Sequence, residues 1–187
     1  MSVLTELPRI VILASGQGSL AAALMESAQL FEVAAVISDK ADAPVLARAE
    51  SAGICAISLP LQGDRPTWES ALADQVACFA PELVVSAGFM RILSPRFLGQ
   101  FRVINSHPSL LPDFPGAHAV RDALASGASQ SGCTVHWVDE GVDTGEAIAQ
   151  RIVEVIPGDT EATLHERIKV VERELLVSVV EALVKGE

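Results

Sequence analysis

Two short segments in the second half of the chain hold residue types suited to acyl or proton-transfer chemistry. The first is Asn105-Ser106-His107-Pro108-Ser109-Leu110-Leu111-Pro112. Asn105 and His107 are two residues apart, so on extended backbone both side chains point to the same side. An amide and an imidazole on one rigid edge can both donate toward an oxyanion developing on a substrate. Pro108, Pro112 and Pro115 stiffen the chain that follows. The second segment, Asp139-Glu140-Gly141-Val142-Asp143-Thr144-Gly145, is a glycine-flanked acidic stretch that alone reads as a solvated turn. A fold that sets Asp143 against His107 would favour the charged imidazolium, equipping His107 as a proton donor or shuttle near neutral pH.

A third candidate lies near the start. Gly16-Gln17-Gly18-Ser19-Leu20-Ala21 follows a β-branched run and opens a helical pattern. Backbone amides there, with a helix N-terminus behind them, suit a phosphate. With Ala21 in third place the segment also fits the dinucleotide fingerprint, and Asp39 lies near where a ribose-binding acid is expected. A phosphate of either kind and a plain tight turn all remain open at this point.

Certain elements must position these segments. Ile10–Ala14 reads as a strand buried on both faces, and Phe31–Ser38, Ile54–Leu59, Leu83–Ala87 and Val103–Asn105 as further strands. Between them fall a helix after Ser19, one capped by Asp42 with Pro44 in its first turn, one over Thr67–Phe79, and a short one from Ser94-Pro95 to Gln100. This alternation predicts an α/β fold with a doubly wound, mostly parallel sheet. A helix near His118–Ser126 and two strand-like runs, Cys133–Val138 and Ala147–Val155, predict an antiparallel C-terminal edge. Leu164, Ile168, Val171, Leu175, Val179 and Leu183 then mark one apolar face of a long C-terminal helix. Met1–Pro8 has no periodicity and reads as a loose tail.

The bulk properties narrow the partners. The chain has 187 residues, half of them apolar, and a net charge of −11, which fits a single domain of residues 1–187. The acidic balance argues against nucleic acid and anionic membranes as partners. No apolar run reaches bilayer length, and Cys55, Cys78 and Cys133 read as buried thiols of a reducing cytoplasm. The spacings of His118, His136 and His165 match no zinc pattern, so no metal is expected. His118 is expected to border the ligand cleft, His136 to be a hydrogen-bonded strand residue, and His165 to lie on the exposed side of the last helix. Trp68 and Trp137 read as packing residues.

From about Arg9 to the end of the last helix, the chain resembles the folate-dependent formyltransferases. The likeness is carried by the segment from Asn105 to His118, by Cys133-Thr134-Val135-His136-Trp137 running on to Gly145, and by Gly88-Phe89-Met90-Arg91-Ile92-Leu93. The resemblance implies a Rossmann-like formyltransferase fold and transfer of the formyl group of 10-formyltetrahydrofolate, a co-substrate, to an amine without a metal. Compact length and the Gly16–Ser19 loop are similar to the branch that formylates glycinamide ribonucleotide in de novo purine synthesis. The alternatives are a formyltetrahydrofolate hydrolase or a transferase with another amine acceptor.

Residue by residue, the resemblance implies Asn105, His107 and Asp143 as the catalytic trio. It implies Gly18, Ser19, Leu20, Lys169 and Glu172 at the ribonucleotide, and Arg65, Met90, Arg91, Ile92, Leu93 and Asn105 at the folate. Leu20 stands where many members have Asn, so only its backbone amide can serve. On this likeness residues 9–105 form the ribonucleotide-phosphate half and 106–187 the folate and catalytic half. The small-molecule partners are glycinamide ribonucleotide and 10-formyltetrahydrofolate, and the reading allows a homodimer.

Overall fold

The computed structural model describes residues 6–186. The chain runs β1 (Arg9–Leu13), α1 (Ser19–Glu26), β2 (Glu32–Ser38), α2 (Pro44–Ser51), β3 (Cys55–Ser58), α3 (Arg65–Ala77) and β4 (Leu83–Ser86). It continues through α4 (Pro95–Leu98), β5 (Val103–His107), α5 (Ala119–Ala125), β6 (Gln130–Trp137), β7 (Ala147–Glu154) and α6 (Glu161–Lys185). Of the expected tail, Met1–Thr5 lies outside the described residues, and residues 6–8 carry no regular structure.

The strands form one sheet in the order β3-β2-β1-β4-β5-β6-β7. The first five strands in that order are parallel, whereas β6 and β7 join antiparallel, as the late hairpin pattern predicts. Helices cover both faces of the parallel part, which is why residues 10–13 of β1 and 83–85 of β4 are continuously apolar and buried rather than alternating. One core packs Ile10, Ile12, Val85 and Ile104 against Leu20, Leu24, Val45, Leu164 and Ile168, placing α1, α2 and α6 on one face. The other packs Val11, Leu13, Val84 and Val103 against Trp68, Leu72 and Phe97, placing α3 and α4 opposite.

Local chemistry explains the starts of α3 and α6. Asp64 accepts from the Thr67 amide at 3.0 Å and starts α3 two residues earlier than the apolar pattern suggests. Thr160 and Thr163 form a reciprocal capping box at the start of α6. Arg167 of α6 then reaches back to Asp159 at 2.5 and 2.7 Å, tying the helix to the turn after β7. That ion pair, with Ile156 and Thr163 bonds, holds the Asp159 carboxyl well below its ordinary range.

Three expectations need correction. The N-cap of α2 is Ala43, not Asp42, and no side chain caps it; Pro44 supplies helical φ and buried Val45 anchors the first turn. β5 extends through His107, two residues past the expected end at Asn105, so His107 is a strand residue. Cys55 and Cys78 are exposed, and of the three thiols only Cys133 is buried. Cys55 lies on β3, an edge strand, which leaves its environment half solvent.

Candidate active site

β1 and β4 are neighbours in the sheet, yet the chain leaves one toward β2 and the other toward β5. Such a switch point leaves a crevice at the carboxyl ends of the strands. A cavity of about 590 Å³ opens there, bounded by the loops after β1 and β4, the end of β5, the Asp139–Asp143 loop and one stripe of α6. A shallower hollow of about 470 Å³ lies between α1 and α2, lined by Ala and Met together with Glu26, Arg48 and Ser51.

Asn105 and His107 reach the cavity from the same side of β5, as their spacing predicts. Asp143 arrives from the β6–β7 connection, with Oδ2 3.3 Å from His107 Nδ1. The same oxygen accepts the Gly116 amide at 2.8 Å. A Cβ at Gly145 would collide with the Trp137 carbonyl, so glycine there lets the acidic loop fold back onto β6. Burial pushes the Asp143 carboxyl up, but His136, the Gly116 amide and the nearby His107 push it further down, leaving it below its ordinary value. Asp143 is therefore a fixed negative charge beside His107 at neutral pH.

The other nitrogen of His107, Nε2, lies 2.9 Å from the Phe114 carbonyl. A carbonyl only accepts, so Nε2 is the donor. Both ring nitrogens thus face acceptors, an arrangement suited to the doubly protonated ring. The donor that an oxyanion would take is held here by a backbone oxygen. Phe114 and Asp143 both sit in the left-handed region, at φ 53° and 54°, a conformation that costs on the order of 1–3 kcal/mol and clusters at functional sites.

His136 joins this group, which sequence reasoning missed. It pairs with Asn105 across the β5–β6 ladder, and its Nδ1 donates to the Trp137 carbonyl at 2.9 Å. Nε2 faces Asn105 Nδ2 at 3.2 Å, accepting from it in the neutral ring, and turns a donor toward Asp143 only when it carries a proton. Asp143 Oδ1 lies 3.7 Å from the same nitrogen. His136 is hydrogen-bonded within its strand, as expected, yet it also orients Asn105. Its only sequence signal is a strand register, which cannot be read without the pairing.

The loop Gly16–Leu20 and the strap Met90–Leu93 border the cavity from β1 and β4. Gly18 adopts φ 75°, and a Cβ there would run into Val45. Glycine therefore lets the loop lie against α2 while it borders the crevice. Asp39 is not free for a ribose. It is 4% exposed, accepts Ser15 Oγ at 2.5 Å and pairs with Arg91 Nε at 2.7 Å. Ser15 Oγ in turn accepts the Met90 amide at 2.9 Å. This cluster pins the strap to β1 and β2 and removes the residue on which the dinucleotide alternative leaned. Arg65 donates to the Ile92 carbonyl from the N-terminus of α3. It is exposed and holds the strap from outside, while His118 is also exposed and lies apart from the cavity lining. Met90, Ile92 and Val142 are 68%, 52% and 50% exposed, and these apolar side chains border the cavity where a flat ligand would cover them.

From α6, His165, Lys169 and Glu172 line the cavity at helical spacing. His165 therefore faces the site instead of the outer surface. Burial and the Lys169 charge lower its pKa against the opposing pull of Glu166 and Glu161. Lys169 Nζ pairs with Glu166 at 2.8 Å. Burial pushes the Glu172 carboxyl up, opposed by a hydrogen bond from Ser106 and by the charges of Lys169 and Arg173. No group of three His, Cys, Asp or Glu side chains is placed to hold a metal ion among the described residues.

Residues 8–180 match the formyl transferase family. The chain belongs to that family. Over 94% of its length this formyl transferase is 49% identical to phosphoribosylglycinamide formyltransferase of Mycobacterium tuberculosis, covering 84% of that protein. Its fold superposes on a glycinamide ribonucleotide transformylase from Symbiobacterium toebii with a TM-score of 0.95 at 37% identity, covering all of this chain and 92% of that one. The phosphoribosylglycinamide formyltransferase of Brucella melitensis gives 0.92 at 39% identity, covering 97% and 98%. The seven-stranded mixed sheet and long C-terminal helix of this formyl transferase are thus those of its solved relatives. No helix among its described residues is long and apolar enough to cross a membrane.

Proposed function

We propose that this formyl transferase moves the formyl group of 10-formyltetrahydrofolate onto the amine of glycinamide ribonucleotide. The observation that carries the reading is the meeting of Asn105, His107 and Asp143 in one cavity, between an amide-rich loop and an apolar strap.

In this reading the backbone of Gly18, Ser19 and Leu20 receives the phosphate at the start of α1, with Lys169 released from Glu166 to add charge. Glu172 receives the ribose or amine. Met90, Arg91, Ile92 and Leu93 receive the folate through backbone groups and apolar cover, with Arg65 and Asn105 beside them. When the amine attacks the formyl carbon, the carbonyl oxygen gains negative charge. The free N–H of Asn105 and the Nε2–H of His107 donate to it, His107 exchanging the Phe114 carbonyl for the substrate oxygen. Asp143 faces Nδ1 and holds the ring in place, and a proton passes from the attacking amine to N10 of the departing tetrahydrofolate. Side-by-side binding supplies the orientation. The reading extends to a cytoplasmic enzyme with small-molecule partners, and light scattering on the purified chain would test a homodimer.

The test is a spectrophotometric assay with 10-formyltetrahydrofolate, with and without glycinamide ribonucleotide. Tetrahydrofolate appearing only with the ribonucleotide supports the reading. Release of formate without it would mean a hydrolase, and turnover only with another amine would mean a different acceptor.

A further inference from the structure

Side chains alternate along β5, so Ser106 points away from Asn105 and His107, toward α6. There its Oγ donates to Oε1 of Glu172 at 2.7 Å. Both residues are buried, and both line the cavity, which wraps around the end of the strand. The second carboxylate oxygen, Oε2, takes no hydrogen bond among the described residues, yet it is not sealed in the protein interior. One oxygen is thus committed to the protein and one is left for a ligand.

We propose that Ser106 is a positioning residue for substrate binding, its hydroxyl holding the Glu172 carboxylate charged and turned so that Oε2 accepts hydrogen bonds from the amine or ribose hydroxyls of the ribonucleotide. The proposal rests on the reading under Proposed function. A buried carboxyl sheds its charge unless it is paired or hydrogen-bonded. A protonated Glu172 would offer a weaker acceptor to an incoming donor. The serine hydroxyl favours the charged form, because it donates to the carboxylate.

The other charges around Glu172 are few. Lys169, Arg173 and His165 share its helix. Cys133 faces it from β6, its thiol pushed up to about 12 by burial and by the Glu172 charge, and so stays neutral. Arg151 of β7 acts on Cys133 in turn. The Gly16–Leu20 loop across the cavity contains no ionisable side chain. Burial leaves the Glu172 carboxyl above its ordinary value, and Ser106 is the hydrogen-bond donor among the described residues that opposes that rise.

The experiment measures KM for glycinamide ribonucleotide from pH 5.5 to 9 in the wild type, Ser106→Ala and Ser106→Thr. In the wild type KM rises toward acid as Glu172 takes up a proton. Without the hydroxyl the neutral acid gains, so Ser106→Ala should move that rise to higher pH by about one unit, or about tenfold in the proton equilibrium. At saturating ribonucleotide kcat should fall far less than KM rises, and Ser106→Thr should restore the profile. In parallel, ¹³C NMR follows the Glu172 carboxyl, assigned by its loss in Glu172→Gln, through a pH titration without substrates. Its midpoint should be higher in Ser106→Ala, or in Ser106→Cys if the alanine variant does not fold. An unmoved midpoint, or a moved midpoint with an unmoved KM profile, overturns the proposal. If the wild type shows no ribonucleotide-dependent turnover, the functional reading fails, and the substrate role of Ser106 falls with it, while the NMR titration still decides whether the hydroxyl sets the charge of Glu172.

Discussion

Replacing Asp143 with Asn changes one oxygen for an NH₂ at the centre of the site, where the consequence can be worked out. In the wild type Oδ2 serves both the Gly116 amide at 2.8 Å and His107 Nδ1 at 3.3 Å. The amide side chain has one oxygen and no charge. If that oxygen keeps Gly116, His107 loses its counter-ion. Two unit charges 3.3 Å apart interact by about 5 kcal/mol at an effective dielectric of about 20, which is a ceiling. The net value of a hydrogen bond to a charged group is roughly 1.5–3 kcal/mol. At about 1.4 kcal/mol per factor of ten this predicts a kcat lowered by about ten- to 150-fold. KM for either substrate should change little, because Asp143 touches His107, His136 and Gly116 rather than a substrate in this arrangement. The assay is steady-state formation of tetrahydrofolate with both substrates saturating. A variant that keeps more than about a third of wild-type kcat would refute the assignment of Asp143 as the counter-ion. The same substitution has a stability signature. The Asp143 carboxyl is held below its ordinary value in the folded state, so its contribution is complete above the unfolded value and is lost as pH falls through the folded one. Asp143→Asn should therefore lose less stability than the wild type between pH 5 and pH 2 in denaturant titrations.

The other predictions concern the elements around this centre. His107→Ala should lower kcat by roughly 10²–10³ with a modest change in KM; a near-normal kcat would end its role as donor. Gly18→Ala places a methyl group against Val45 in a left-handed backbone. It should cost about 1–3 kcal/mol, lower Tm by about 2–4 °C per kcal/mol and raise KM for the ribonucleotide. Adding Val45→Ala should recover part of the melting temperature, and no recovery would mean the clash is not the cause. Asp39→Ala strands Arg91, but that side chain keeps 34% of its surface in water, so the loss should be about 1–3 kcal/mol, below the usual range for a broken buried pair. KM for the formyl folate should rise as the strap loosens, and an unchanged KM would argue against pinning by the Asp39–Arg91 pair.

Much of the fold was legible because its signals are local. Continuous β-branched runs such as Ile10–Leu13 need no context to read as strands buried on both faces. Ser94-Pro95 and the Leu164–Val179 periodicity likewise announced their helices. The misreadings came where local rules compete with packing. Asp42 has the chemistry of a cap, but α2 is started by Pro44 and the burial of Val45. Cys55 looks apolar in sequence and is exposed because β3 lies at a sheet edge. His165 was assigned to the outside of α6 because one apolar stripe defines only the core side, not which neighbouring positions face a cavity.

By itself the sequence determined the strand–helix alternation, the shared side of Asn105 and His107 and the family resemblance, since each depends on residues close in the chain. Only the tertiary structure decided what those residues meet. The pairing of Asp143 with His107, of His136 with Asn105 and of Glu172 with Ser106 spans 36, 31 and 66 residues of chain. Such contacts follow from the sheet order and the register of β5 against β6, and from the face of α6 that packs on β6 and β7. Those are set by the burial of the whole core, a sum over many side chains that no short segment encodes. That same burial occupied Asp39 with Ser15 and Arg91, turning a plausible ribose ligand into a strut for the folate-side strap.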